Sequence, residues 1–369
     1  MRKGITIYPG LGDSAINNLQ LIERACAAGI TRLMLSLALP YADVTAAAFE
    51  TGRLLKAARR HQMDVVAACT PEIMRMLHLR QVSFRSLRIM GIHTLYFGDF
   101  DADELARLSR NDQHIHIQFN AGAVNEEELN KLLAQNPNLR QLEGLHGRYP
   151  RLGTGLSEEN LVKKTVMLHR AGISVSAFVA GERRTLPPLY DGLPSLEAHR
   201  FFSCDLACRH FAAIGMDSVF IGDSFPTDGE LDAMGSVRRW EIALRIDLYT
   251  HDLLQQRLLR YVYTARFDEA RDAVRAFEGE ERAAELGGAI APENTVGRKY
   301  GDITVDNAVC PEFAGELQII KRPSPPSRYT NVVGDVCEEE AFLINYIMPG
   351  RQFRFIFDWV FAFMLSVAA

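Results

Sequence analysis

Along the first two-thirds of the chain, short apolar runs take turns with segments whose apolar positions recur every three or four residues. The short runs predict strands at 4–8 (GITIY), 32–37 (RLMLSL), 64–69 (DVVAAC), 94–98 (TLYFG), 114–120 (HIHIQFN), 141–146 (QLEGLH), 174–179 (SVSAFV) and 218–223 (SVFIGD). The longer segments predict helices over 18–28, 46–61, 126–135, 158–171 and 196–214. Several of these patterns end on a glycine just before the next strand: Gly29, Gly91, Gly172 and Gly215. Glycine closes a helix there because it enters the left-handed region without a steric cost. Eight strands alternating with helices predict an α/β fold, a (βα)8 TIM barrel. A doubly wound open sheet is the alternative, weakened because no strand runs into a G-x-G-x-x-G turn.

The pattern changes near Gly235. Residues 237–280 read as mostly helical, and 287–294 as a loop of small residues. From Tyr300 onward the runs GDITVDNAV, GELQIIKR, YTNVVGDV, FLINYIMPG and FRFIF predict strands punctuated by Gly and Pro, as in a small β-barrel or sandwich. The expected organisation is a barrel domain at 1–236, a helical connector at 237–295 and a β domain at 296–369.

Composition narrows the function. The chain has 369 residues, more than one core usually holds, so two domains are expected. Forty-one Lys and Arg against forty-six Asp and Glu give a net charge of -5, which argues against a nucleic-acid or anionic-membrane partner. The six cysteines are scattered. Cys204 and Cys208 lie four apart on a predicted helix without a matching His or Cys pair, so free thiols are expected and no metal site. The opening MRKGITIYPG reads as a first strand and not as a signal peptide. The closing FRFIFDWVFAFMLSVAA is interrupted by Asp358 and falls short of the roughly 20 apolar residues of a spanning helix. It reads as a last strand plus an apolar tail.

In a TIM barrel the ligand-facing groups follow the strands. That rule selects Tyr8 after the first strand, Asp99 after the fourth, Asn120 ending the fifth, His146 ending the sixth and Asp223 ending the eighth. The stretch GLHGRYPRLGTGLS at 144–157 runs on through Arg148, Tyr149 and Arg151, whose backbone is set by Pro150. A planar guanidinium suits carboxylate or phosphate oxygens. Ser157 precedes a helical run with Glu158 and Glu159 in its first turn and reads as an N-cap. Glu197, in GLPSLEAHR, opens the next helical segment. Asp99, Glu197 and Asp223 are the candidates for the carboxylate pair of a glycosidase. No Walker motif, G-x-S-x-G elbow, metal triad or Schiff-base lysine presents itself, which disfavours an isomerase or lyase. No cofactor is expected.

The chain resembles the bacterial 6-phospho-N-acetylmuramidase (MupG-like) family. The resemblance is carried by GITIYP, YPRLGTGLS, GLPSLEAHR and IGD at 221–223, then by GDITVDN, GELQI and NVVGDV. It implies a TIM barrel joined to a cyclophilin-like β domain that helps close the substrate site. The activity implied is hydrolysis of the glycosidic bond of 6-phospho-N-acetylmuramyl-N-acetylglucosamine in cytoplasmic peptidoglycan recycling, with a small phosphorylated sugar as partner. Arg151 and the second-domain face become candidates for the phosphate. The family pattern has an acid after the first Tyr-Pro, where this chain has Gly10, and an Asp near the end of the third strand, where it has Ala68. Its HNFYPR is HGRYPR here, an Arg expected before GELQ is replaced near Glu312, and Asp99 stands approximately for the acid of the fourth strand.

These readings converge on a divergent glycosidase. Glu197, Asp223 and Asp99 would carry the chemistry, and Asn120, His146, Tyr149, Arg151 and Tyr8 would hold the sugar. The alternative is a hydrolysis-deficient paralogue that binds a sugar phosphate. A homo-oligomer is left open.

Overall fold

The alternation of strands and helices becomes a closed ring in the computed structural model, which describes residues 1–11, 14–36, 44–68, 83–98, 100–184 and 186–357. The strands are β1 (Arg2–Ile7), β2 (Arg32–Leu35), β3 (Asp64–Ala68), β4 (Ile92–Tyr96), β5 (His116–Asn120), β6 (Leu142–Leu145), β7 (Ser174–Val179) and β8 (Ser218–Ile221). Each pairs in parallel with the next, and β8 pairs back onto β1, with Gly4 opposite Phe220. That closure makes a TIM barrel and excludes the open sheet.

The outer faces of the strands and the inner faces of the helices share one core. Ile5, Ile7, Leu33, Leu35, Ile117 and Val175 pack there on Leu21, Leu54, Leu132, Leu168 and Phe211. Burying each such side chain contributes roughly 1.5–3 kcal/mol. The expected caps are in place. Gly91 and Gly215 close their helices at φ 92° and 97°. The Ser157 hydroxyl accepts from Asn160 N–H at the start of α6 (Glu158–Arg170), whose first turn carries Glu158 and Glu159.

The barrel interior is layered. At the amino-terminal end lies an ion cluster: Arg32 donates to both oxygens of Glu143 (2.7 and 2.9 Å), and Asp64 and Arg2 complete it. Above it Met34, Val66, Leu145, Phe178 and Phe220 form an apolar layer against Tyr96. The carboxyl ends of the strands lie above that layer.

The chain divides at Val237 into two compact units, Met1–Val237 and Arg238–Ala369. The second contains a seven-stranded sheet. Its strands are β9 (Glu241–Leu248), β10 (Tyr263–Thr264), β11 (Ala273–Arg275), β12 (Asp302–Asp306), β13 (Leu317–Ile320), β14 (Thr330–Val336) and β15 (Gln352–Ile356), in the order β10-β15-β9-β14-β12-β13-β11. The sheet curls until its ends meet at the Ala265–Ala276 bridge, where Phe277 N–H donates to Thr264 O (2.8 Å).

Two expectations are corrected here. Residues 237–280 are not mainly helical, because β9 lies in the middle of the sheet, between β14 and β15. Its EIALRIDL carries charges at a spacing that also suits a helix, and neighbouring strands decide between the two. FLINYIMPG is not a strand. Glu338–Tyr346 is a 3-10 helix, tied down because Glu340 accepts Arg245 N–H (2.7 Å) from the sheet. The tail from 358 on lies outside the described residues, and no described helix is long and apolar enough to cross a membrane.

Candidate functional site

A cavity of about 160 Å³ opens where β2, β4, β6 and β7 end, walled by Met34, Tyr96, Leu145 and Phe178 and edged by Ser36 and Arg148. Drug-sized sites run to roughly 300–1,000 Å³, and the described part of this cavity has room for a single ring or substituent. Its described lining is mainly apolar, with polar groups from Ser36, Tyr96 and Arg148.

Arg148 is the cation of the cavity. It donates from one guanidinium nitrogen to Tyr8 Oη (2.7 Å) and from the other to Ser36 Oγ (2.7 Å). Its guanidinium also lies 5.2 Å from the ring centre of Tyr8 and 5.8 Å from that of Phe178. Tyr8 is 2% exposed and donates its own proton to Gly222 O, so the phenol is fixed from both sides. Burial pushes that phenol up to about 12, and it stays neutral.

The other candidates fall into three groups. Asn120 and Tyr149, which end β5 and follow β6, come together beside Gly122. A Cβ on Gly122 would lie 3.1 Å from Asn120 Oδ1 and 3.3 Å from the Tyr149 hydroxyl. Asn120 Oδ1 accepts Gly122 N–H (3.0 Å), and partial burial raises the Tyr149 phenol. Arg151 is exposed nearby, with its carbonyl held by Thr154 and Arg200.

Three groups face inward to the protein instead. His146 is wholly buried and its Nε2 meets Thr165 Oγ1 on α6 (3.0 Å), so it does not reach the cavity as expected. Strand alternation is the reason: Leu145 points into the barrel, so His146 points at the helices. Burial, with the Lys164 and His169 charges adding to it, lowers this imidazole to about 3. Glu197 accepts Gly153 N–H (2.8 Å), Gly155 N–H (2.6 Å) and Arg200 Nε–H (2.7 Å). Arg200 donates in turn to the carbonyls of Tyr149 (2.9 Å), Asp191 (3.0 Å) and Gly192 (3.1 Å). This Glu197–Arg200 clamp joins the loop after β6 to the segment 191–200. The Arg200 bonds and the two amides hold the Glu197 carboxyl down at about 2. Asp223 is 1% exposed; its Oδ2 accepts Gly181 N–H (2.8 Å) and Leu193 N–H (3.1 Å), while Oδ1 has no partner. Burial raises its carboxyl despite the two amides.

Asp99 lies outside the described residues. Among the described residues no group of three or more His, Cys, Asp and Glu could hold a metal ion. Cys204 and Cys208 are buried on one helix with their sulfurs 4.0 Å apart.

Reading by sequence passed over Arg148 in favour of Arg151, and passed over Ser36. The signal available was that Arg148 is the first cation after β6, with Gly147 before it.

The profile of the 6-phospho-N-acetylmuramidase N-terminal domain matches residues 3–236, and that of the C-terminal domain matches 242–356. Among solved structures, an uncharacterized B. cereus protein superposes with a TM-score of 0.84 at 23% identity, over 96% of this chain and 99% of that one. A conserved Enterococcus faecalis protein of unknown function superposes with a TM-score of 0.70 at 22% identity, over 100% of this chain and 99% of that one. At these identities the likeness is one of fold. No curated protein matches in direct comparison.

Proposed function

Because this chain belongs to the 6-phospho-N-acetylmuramidase family across both of its domains, we propose that it hydrolyses the glycosidic bond of a 6-phosphorylated amino-sugar glycoside, 6-phospho-N-acetylmuramyl-N-acetylglucosamine, in cytoplasmic peptidoglycan recycling. The observation that carries the reading is the cavity at the carboxyl ends of the barrel strands, where barrel enzymes act. Asn120, Tyr149 and Arg151, in the segments that follow β5 and β6, would meet the remaining hydroxyls and charges of the sugar.

Glycoside hydrolysis by two carboxyl groups needs one that keeps its proton at neutral pH and one that does not. Asp223 is assigned the first role: it is buried, its Oδ1 is unpartnered, and burial raises its carboxyl. Asp99, directly after β4, is assigned the second role. Glu197 is left out of the pair, because Arg200 and two amides already occupy both of its oxygens.

A second reading is favoured by the same carboxylates. Glu197 and Asp223 each hold backbone amides together, and neither lines the cavity. A sugar-phosphate-binding paralogue without hydrolysis needs nothing more than this.

Incubation with 6-phospho-N-acetylmuramyl-N-acetylglucosamine separates the two. Release of N-acetylglucosamine, abolished by Asp99→Asn and by Asp223→Asn, supports hydrolysis. Binding without release establishes the second reading, and absence of both sinks the substrate class.

A further inference from the structure

Arg148 is half-buried in a mainly apolar cavity, and no carboxylate pairs with it among the described residues. Its described partners are two neutral hydroxyls, Tyr8 Oη and Ser36 Oγ, at 2.7 Å each. This differs from Arg32, which spans Glu143, and from Arg200, which spans Glu197. A guanidinium taken out of water without a counter-charge is costly, and a hydroxyl removes only part of the cost.

An anionic ligand would meet that cost. A guanidinium has five N–H donors in a plane. Tyr8 and Ser36 take one from each terminal nitrogen. Three donors remain for an oxyanion, which a guanidinium can grip through two parallel bonds. The two anchors fix the plane in advance. Tyr8 cannot swing away, because its proton is committed to Gly222 O, and Ser36 stands at the end of β2. Tyr8 and Phe178 lie against the guanidinium, and Phe178, Met34 and Leu145 provide apolar surface beside it. That combination suits a compact anionic substituent attached to a sugar.

We infer that Arg148 is the specificity-determining residue of this cavity, binding the anionic substituent of an amino sugar through its two-pronged guanidinium face. This rests on the reading of the barrel as a site for phosphorylated amino sugars. Two substituents share the chemistry: a 6-phosphate, and the lactyl carboxylate that distinguishes muramic acid from glucosamine.

The test is calorimetric titration of the wild-type chain, Arg148→Lys and Arg148→Met with five probes. They are N-acetylglucosamine, N-acetylglucosamine 6-phosphate, N-acetylmuramic acid, inorganic phosphate and lactate. Thermal melts check that the variants fold, and Arg148→Lys serves if the methionine variant does not. The expected result is a loss of roughly 10- to 100-fold for one of the two anionic sugars in Arg148→Met, the value of charge-assisted bonds, with a smaller loss in Arg148→Lys. Affinity for neutral N-acetylglucosamine is expected to stay as it is in the wild type. Loss for the 6-phosphate assigns Arg148 to the phosphate, and loss for N-acetylmuramic acid assigns it to the lactyl carboxylate. If no sugar binds but phosphate or lactate binds and needs Arg148, the sugar reading falls and the anion role of Arg148 stands. Equal binding of every anionic probe by wild type and variants overturns the inference, as does a wild-type chain that binds none of them.

Discussion

Arg32 and Glu143 face each other across the amino-terminal end of the barrel, with NH1 2.7 Å from Oε1 and NH2 2.9 Å from Oε2, and neither side chain is exposed to solvent. One enters from the first residue of β2 and the other from the second of β6, so this pair spans the ring. Burial by itself would raise the Glu143 carboxyl. Arg32, Arg2 and Ser176 outweigh it and bring it to about 2.

Glu143→Gln takes one of its two counter-charges from the buried Arg32 guanidinium and leaves Asp64, 3.0 Å from Nε, as the other. The change is expected to cost up to about 3–5 kcal/mol in chemical unfolding, whereas replacing both Arg32 and Glu143 by apolar residues of matched volume should cost much less. Equal losses in the single and double variants would contradict this.

Acid stability follows from two sets of groups with separate windows. His146, His199 and His210 are buried and neutral. Burial lowers His146 to about 3 and His210 to about 4, the latter against the pull of Glu158, and lowers His199 well below 6.5 with His210 adding to it. The His199 and His210 rings share a hydrogen bond of 2.9 Å. A base whose folded value is depressed contributes stability that is whole above its unfolded value, near 6.5, and is lost as pH falls towards the folded one. Urea unfolding should show stability dropping from about pH 6.5 downward, by up to about 1.4 kcal/mol per pH unit for each histidine. Glu143 then acts lower: its contribution is present above 4.5 and disappears as pH falls towards 2. Stability that stayed flat from pH 7 to 5 would count against the buried neutral histidines.

The Glu197–Arg200 clamp predicts a loop defect. A Cβ on Gly155 would stand 2.5 Å from Glu197 Oε2 and 2.8 Å from its backbone nitrogen, so Gly155→Ala must open the clamp. Glu197→Gln loses the charge that Arg200 and two amides require. Both changes should weaken binding of the sugar ligand severalfold and make residues 148–157 more susceptible to proteolysis. A change in turnover alone, with binding and proteolysis as in the wild type, would instead assign Glu197 to the chemistry.

Tyr8→Phe removes one acceptor from Arg148 and leaves the buried Gly222 carbonyl without its donor. The expected cost is about 1–3 kcal/mol of stability, with weaker binding of the anionic sugars and little change for a neutral one. Melting temperature and the same titrations measure the two effects separately.

Local pattern determined much of this protein. The eight strands of the barrel, the glycine caps at Gly91 and Gly215 and the Ser157 N-cap follow from residues close in sequence, whose spacing and conformational freedom act within a turn or two. Alternation along β6 also contained the orientation of His146: with Leu145 inward, His146 had to face α6. Tertiary structure decided what depends on partners far away in the chain. β9 became a strand because β14 and β15, about 90 and about 110 residues later, supply its hydrogen bonds. Glu197 became a clamp because Gly153 and Gly155, 44 and 42 residues earlier, aim their amides at it. Arg148 rather than Arg151 reached the cavity because Tyr8 and Ser36, 140 and 112 residues away, hold its guanidinium there. A side chain's chemistry is readable from its type, but its task is set by the charges and donors that folding brings within about 3 Å of it.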